Sequence, residues 1–191
     1  MKLWTSSVAA LLIALLGSCQ GIFSWGVLYP GGHLLARYHV TAQGEELYLT
    51  VEVVPQGQGY RVITSFERTV RDAAEVGLSL FSPGRVGDSG TIDFSPIFVL
   101  KDKDLRPNAR YILEGRSRLI THGRIEIAGV PAIQATFIHP KWPGQRVELA
   151  VPDPAYRGLL FLPPLLRVIE GQDSSSKVIF SIELLKFRHD A

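Results

Sequence analysis

Glu46-Leu47-Tyr48-Leu49-Thr50-Val51-Glu52-Val53-Val54 alternates with a period of two. On an extended chain Leu47, Leu49, Val51 and Val53 face one way, and Glu46, Tyr48, Thr50 and Glu52 the other, so one face is buried and the other wet. Working outward, residues 34–41 read as a preceding strand, joined through the turn at 42–45. Pro55-Gln56-Gly57-Gln58-Gly59 is a second tight connection, and residues 60–70 continue with Tyr60, Val62, Thr64 and Phe66 on one side. Three strands joined by short loops predict an antiparallel meander.

The same grammar extends downstream. Residues 71–74 hold at most one helical turn. Strands are expected at 75–81 and 91–100, around the glycine-rich loop 82–90, and Pro96 pushes the second of them to an edge or a bulge. After the charged loop 101–108, residues 110–121 and 123–128 are strands split at His122-Gly123. Residues 132–139, 145–151 and 177–188 complete the set. The fold class expected is all-β: an antiparallel meander forming a barrel, a half-barrel or a strongly curved sheet, with little helix.

The alternation breaks at residues 156–169, Tyr-Arg-Gly-Leu-Leu-Phe-Leu-Pro-Pro-Leu-Leu-Arg-Val-Ile. Pro163-Pro164 forbids a continuous helix or a central strand through its middle. Two readings stand. The segment is an apolar flap or ligand rim, carried by Leu159, Leu160, Phe161, Leu162, Leu165 and Leu166, or it is a buried plug that packs the open end of the sheet, and the plug is preferred.

The N-terminus carries the address. Lys2 precedes the apolar run 8–16, which has the length of a secretory h-region and is too short to span a bilayer. Leu16-Gly17-Ser18-Cys19 closes it with the chain's only cysteine. These four residues resemble the lipobox of bacterial lipoproteins. The resemblance implies cleavage before Cys19, a diacylglyceryl group on its sulfur, export, and anchoring to the cell membrane or the outer membrane. It divides the chain into a signal peptide at 1–18, a lipid-anchored tether at 19–33 and a single β domain at 34–191. Phe23, Trp25 and Tyr29 in the tether are expected either to pack on the domain's flank or to sit at the lipid headgroup level, and packing is preferred. One cysteine permits no internal disulfide, so stability must come from apolar burial and backbone pairing.

Composition excludes more than it assigns. The formal charge of +2 comes from 20 basic and 18 acidic residues spread along the chain, which argues against a nucleic-acid partner. Gly87-Asp88-Ser89-Gly90 resembles the nucleophile motif of trypsin-like proteases, but too few residues precede Ser89 and Thr91 follows where a glycine is needed. A polar hairpin loop explains it better. His33, His39, His122, His139 and His189 match no metal-ligand spacing, and there is no phosphate-binding or dinucleotide fingerprint. Neither a cofactor nor a metal is expected. The function expected is a non-enzymatic binder or carrier of an apolar, lipid-like ligand. An envelope interaction or assembly factor with a protein partner is the alternative, and a hydrolase comes third.

Overall fold

The computed structural model describes residues 28–42, 45–68, 100, 103–171 and 176–191. The signal peptide, Cys19, Phe23, Trp25, the helical turn at 71–74, the strand at 75–81, Pro96 and the Ser89 loop lie outside the described residues, as does all but Leu100 of the strand at 91–100.

Among the described residues nine strands form one antiparallel sheet: β1 (His33–Ala42), β2 (Glu45–Gln56), β3 (Gly59–Arg68), β4 (Arg110–Ile112), β5 (Arg118–Ile127), β6 (Val130–Ile138), β7 (Gln145–Pro152), β8 (Leu165–Glu170) and β9 (Lys177–Asp190). Their order across the sheet is β3-β2-β1-β9-β8-β7-β6-β5-β4. Two meanders are thus joined where β1 pairs with β9, from His33 opposite Asp190 to Ala42 opposite Phe180. Among the described residues β3 and β4 are outer strands that do not pair with each other, so the sheet is an open half-barrel or curved sheet.

The alternation in the sequence sets the two faces. On β1, Leu34, Ala36, Tyr38, Val40 and Ala42 are buried, and opposite them on β2 lie Val53, Val51, Leu49 and Leu47. The same inner face collects Phe180, Ile182 and Leu184 from β9, Leu166 and Val168 from β8, Val147, Leu149 and Val151 from β7, and Ile133, Ala135 and Phe137 from β6. Each large side chain removed from water contributes about 1.5–3 kcal/mol. The outer face carries ion pairs instead, including Arg37 with Glu67 at 2.7 Å and Arg167 with Glu183 at 3.2 Å. Register shifts at Arg37/Tyr38, Thr121/Arg124 and Val168/Ile169 bend the strands, because an extra residue on one side of a ladder kinks it and raises its twist.

Three expectations need correction. Residues 110–121 are not one strand: the chain leaves β4 at Ile112, makes a 3-10 turn over Glu114–Arg116, and re-enters as β5. Gly115 and Arg116 there take φ of 71° and 62°, which an extended strand does not permit. His122-Gly123 does not split a strand either, for β5 runs through it with a bulge. Finally, the segment after Pro164 is a strand, β8, which starts where the second proline's missing N–H no longer matters.

Candidate functional site

The inner face is roofed by segments that come from outside the sheet. Leu105 reaches it from the loop 103–109. That loop is fastened to β5 by the buried Thr121, whose hydroxyl donates to the Arg106 carbonyl at 2.6 Å and accepts from the Ala109 N–H at 2.8 Å. The second roof is residues 153–164. It opens with a 3-10 turn, Pro154–Tyr156, after which the Leu159 and Leu160 N–H groups both reach the Tyr156 carbonyl, at 3.0 and 3.1 Å.

The roof is tied down along its length. The Arg157 guanidinium donates to the carbonyls of Pro152 at 3.2 Å and Lys103 at 3.1 Å. Tyr38 donates its phenol to the Leu162 carbonyl at 3.4 Å, and the Leu184 N–H reaches the Pro164 carbonyl at 2.8 Å. Burial drives the Tyr38 phenol far above its ordinary titration range, outweighing the Leu162 hydrogen bond, which acts in the opposite direction.

The six apolar residues singled out in this segment separate in space. Leu160 and Leu162 are 2% and 1% exposed and join the main core with Leu166 of β8. Leu165 points through the opposite side of the sheet, where it packs with Ala132 and Ala150. Leu159 and Phe161 alone reach the end of the sheet where β1 begins and β9 ends. There Leu159 is buried with Leu34 and Val53, and half-buried Tyr29, Tyr156, Phe161 and Phe187 pack around them.

Among the described residues this aromatic end is where the inner face meets solvent through large apolar side chains. Tyr60 and Val62, on the inner side of edge strand β3, are 52% and 59% exposed. The Tyr29 ring stands edge-on to Tyr60 at 5.3 Å, and Tyr156 to Phe187 at 5.8 Å. Partial burial, and then the neighbouring Tyr60 phenol, raise the Tyr29 phenol above its ordinary value. The arm carrying Tyr29 is held from two sides: Tyr29 donates to the Gly32 carbonyl at 2.9 Å, and His189 Nε2 donates to the Gly31 carbonyl at 2.7 Å. Two polar contacts flank this end. His33 donates to Glu52 at 2.9 Å, and Arg188 meets Asp190 at 2.8 Å, a hydrogen bond that holds the Asp190 carboxyl below its usual range.

The histidines do not converge. His39 stacks on Tyr48, His122 bonds Thr136, and His139 packs between Phe137 and Trp142. Among the described residues no group of three or more metal-ligating side chains gathers. Sequence reasoning missed Phe187, Tyr156, Tyr60 and Val62 as parts of one cluster, since only the β1–β9 pairing and the roof segment bring them together.

No family model matches the chain, and no curated protein matches it. Among solved structures, the crystal structure of MucB is similar at a TM-score of 0.41 and 11% identity, over 88% of this chain and 57% of that one. The chain therefore spans little more than half the length of that protein.

Proposed function

We propose that the chain is an exported protein anchored through a lipidated Cys19, whose β domain binds an apolar, lipid-like ligand without chemical turnover. The observation that carries this reading is the aromatic end of the inner face, where Tyr29, Tyr60, Val62, Phe161 and Phe187 offer apolar surface to solvent beside the buried Leu34, Val53 and Leu159. Apolar ligand sites have this make-up: mostly hydrophobic and aromatic walls with a few polar groups that fix orientation. Here the phenols of Tyr29 and Tyr60 would supply those polar groups, placed to meet the hydrated end of an amphipathic molecule. The half-exposed apolar surface between them would take the hydrocarbon.

The test is native mass spectrometry of the full-length protein extracted from its own host's membranes. A co-purifying lipid is the expected result, with displacement by a fluorescent fatty acid as its check. A lipid-free domain that ignores the fatty acid overturns the reading, and a stoichiometric protein partner in its place would favour an assembly factor.

A further inference from the structure

From the place where the tether meets the domain, we infer that the aromatic end faces the bilayer and docks on its neutral interfacial layer. This rests on the anchor at Cys19 proposed above. Nine residue steps lead from Cys19 to Leu28, so the tether reaches at most about 32 Å when fully extended. Tyr29 lies at the aromatic end itself, against Tyr60, and exposed Leu28 precedes it in the chain. The opposite end of the sheet, where β9 begins at Lys177, is the length of a fourteen-residue strand away, roughly 40 Å after allowance for twist. A tether of that length falls short of placing the Lys177 end on the membrane with the aromatic end above it. Orientations with the aromatic end down satisfy it with slack.

The chemistry of that end fits the same partner. Of the six large apolar side chains most exposed among the described residues, Leu28, Tyr60 and Val62 gather here. Tyrosine rings with a wet phenol and an apolar body suit the headgroup boundary, and single aliphatic side chains suit the first methylenes below it. No excess of positive charge gathers nearby: Arg188 pairs with Asp190, and the cation of Arg61 is balanced by the carboxylate of Glu52, which His33 bonds. An anionic surface is therefore not what this end recognises, and docking should persist at high salt, where attraction between exposed charges is screened. With the aromatic end against the bilayer, a lipid-like ligand would pass between membrane and that end without crossing water.

The experiment uses the full lipidated chain in phosphatidylcholine vesicles that contain nitroxide-labelled lipid. Val62→Cys and Lys177→Cys each place one labelling site for a fluorophore, at the aromatic end and at the far end of β9. Both side chains are exposed, so neither variant threatens the fold. Strong quenching at position 62, weak quenching at 177, and no change on raising the salt are expected. Equal quenching at the two positions, stronger quenching at 177, or loss of the difference in salt overturns the inference. A protein recovered without acyl groups, seen by mass beforehand, overturns the anchor and this orientation together. Quenching at 62, beside an unlabelled wild-type protein that carries no ligand by mass, leaves the orientation standing and sinks only the carrier function.

Discussion

The Tyr38 phenol, in the middle of β1, donates to the backbone carbonyl of Leu162 across 124 residues of chain and at a depth where both side chains are sealed from water. At 3.4 Å the bond is long for a hydroxyl donor, so its contribution lies at the weak end. Tyr38→Phe leaves one buried carbonyl unpaired and should cost about 1 kcal/mol at neutral pH. The pH dependence is more distinctive. In the unfolded chain the phenol titrates near 10.0, whereas the folded chain keeps its proton to higher pH. Between those points the native state binds the extra proton, so stability is unaffected below pH 10 and falls above it, by up to about 1.4 kcal/mol per pH unit. Urea unfolding midpoints across that alkaline range should drop less steeply in Tyr38→Phe than in the wild type. Parallel slopes for the two proteins would refute the assignment.

The anchor is tested at a single sulfur. Acyl chains bind membranes through about 0.8 kcal/mol per buried methylene, and nothing else in residues 1–27 is proposed to survive processing as an anchor. Cys19→Ser should abolish labelling by a radioactive fatty acid and move the protein out of the membrane fraction. A variant that stays in the pellet, beside a native protein that never takes label, would remove the lipoprotein reading.

At the root of the tether, Gly32 has φ +86°, and a Cβ there would collide with the Asp190 carbonyl and come within 2.9 Å of His189 Nε2. The left-handed conformation alone costs a non-glycine residue about 1–2 kcal/mol. Gly57, at φ +61° in the β2–β3 hairpin, provides the control, because nothing lies within 4 Å of its Cβ position. Gly32→Ala should therefore lower stability well beyond Gly57→Ala. It should also speed amide exchange at the His33 end of β1 while leaving the Ala42 end protected. Equal losses in the two variants would mean that the arm is not clamped between β1 and β9.

How much of this was legible in the sequence depended on whether a segment has one wet face. Where it does, as in residues 34–54, alternation placed β1 and β2 nearly to the residue. β8 gave no such signal: Leu166 and Val168 fill the core while Leu165 and Ile169 are buried on the other side, so both faces are apolar and the period vanishes. The 3-10 turn at Glu114–Arg116 was hidden for another reason, namely that its only marker is Gly115 inside a run that alternates well on either side. The aromatic end was not legible as one cluster, although Tyr29 and Phe161 were each singled out. Tyr29, Phe161 and Phe187 are far apart in sequence, and no local pattern records that the first and last strands pair at the centre of the sheet.

Residues 159–162 give the sharpest separation between holding the fold and holding a ligand, since neighbouring side chains have opposite environments. Leu160 and Leu162 are sealed in the main core, and truncating either to Ala removes buried methylenes and leaves a cavity, at about 2–5 kcal/mol. Phe161 lies between them at the half-exposed aromatic end, where water can refill the space its ring vacates. Phe161→Ala should accordingly cost less than either leucine, while weakening fatty-acid binding more than both do in whatever fraction remains folded. The hydrogen bonds from Tyr38 and Leu184 to this segment also imply slow amide exchange at Leu159 and Leu160, which a freely opening flap would not show. Fast exchange there that slows when fatty acid is added would mean that the roof itself moves to admit ligand. A Phe161→Ala variant with unchanged affinity and the largest stability loss of the three would instead make residues 159–162 a structural plug alone.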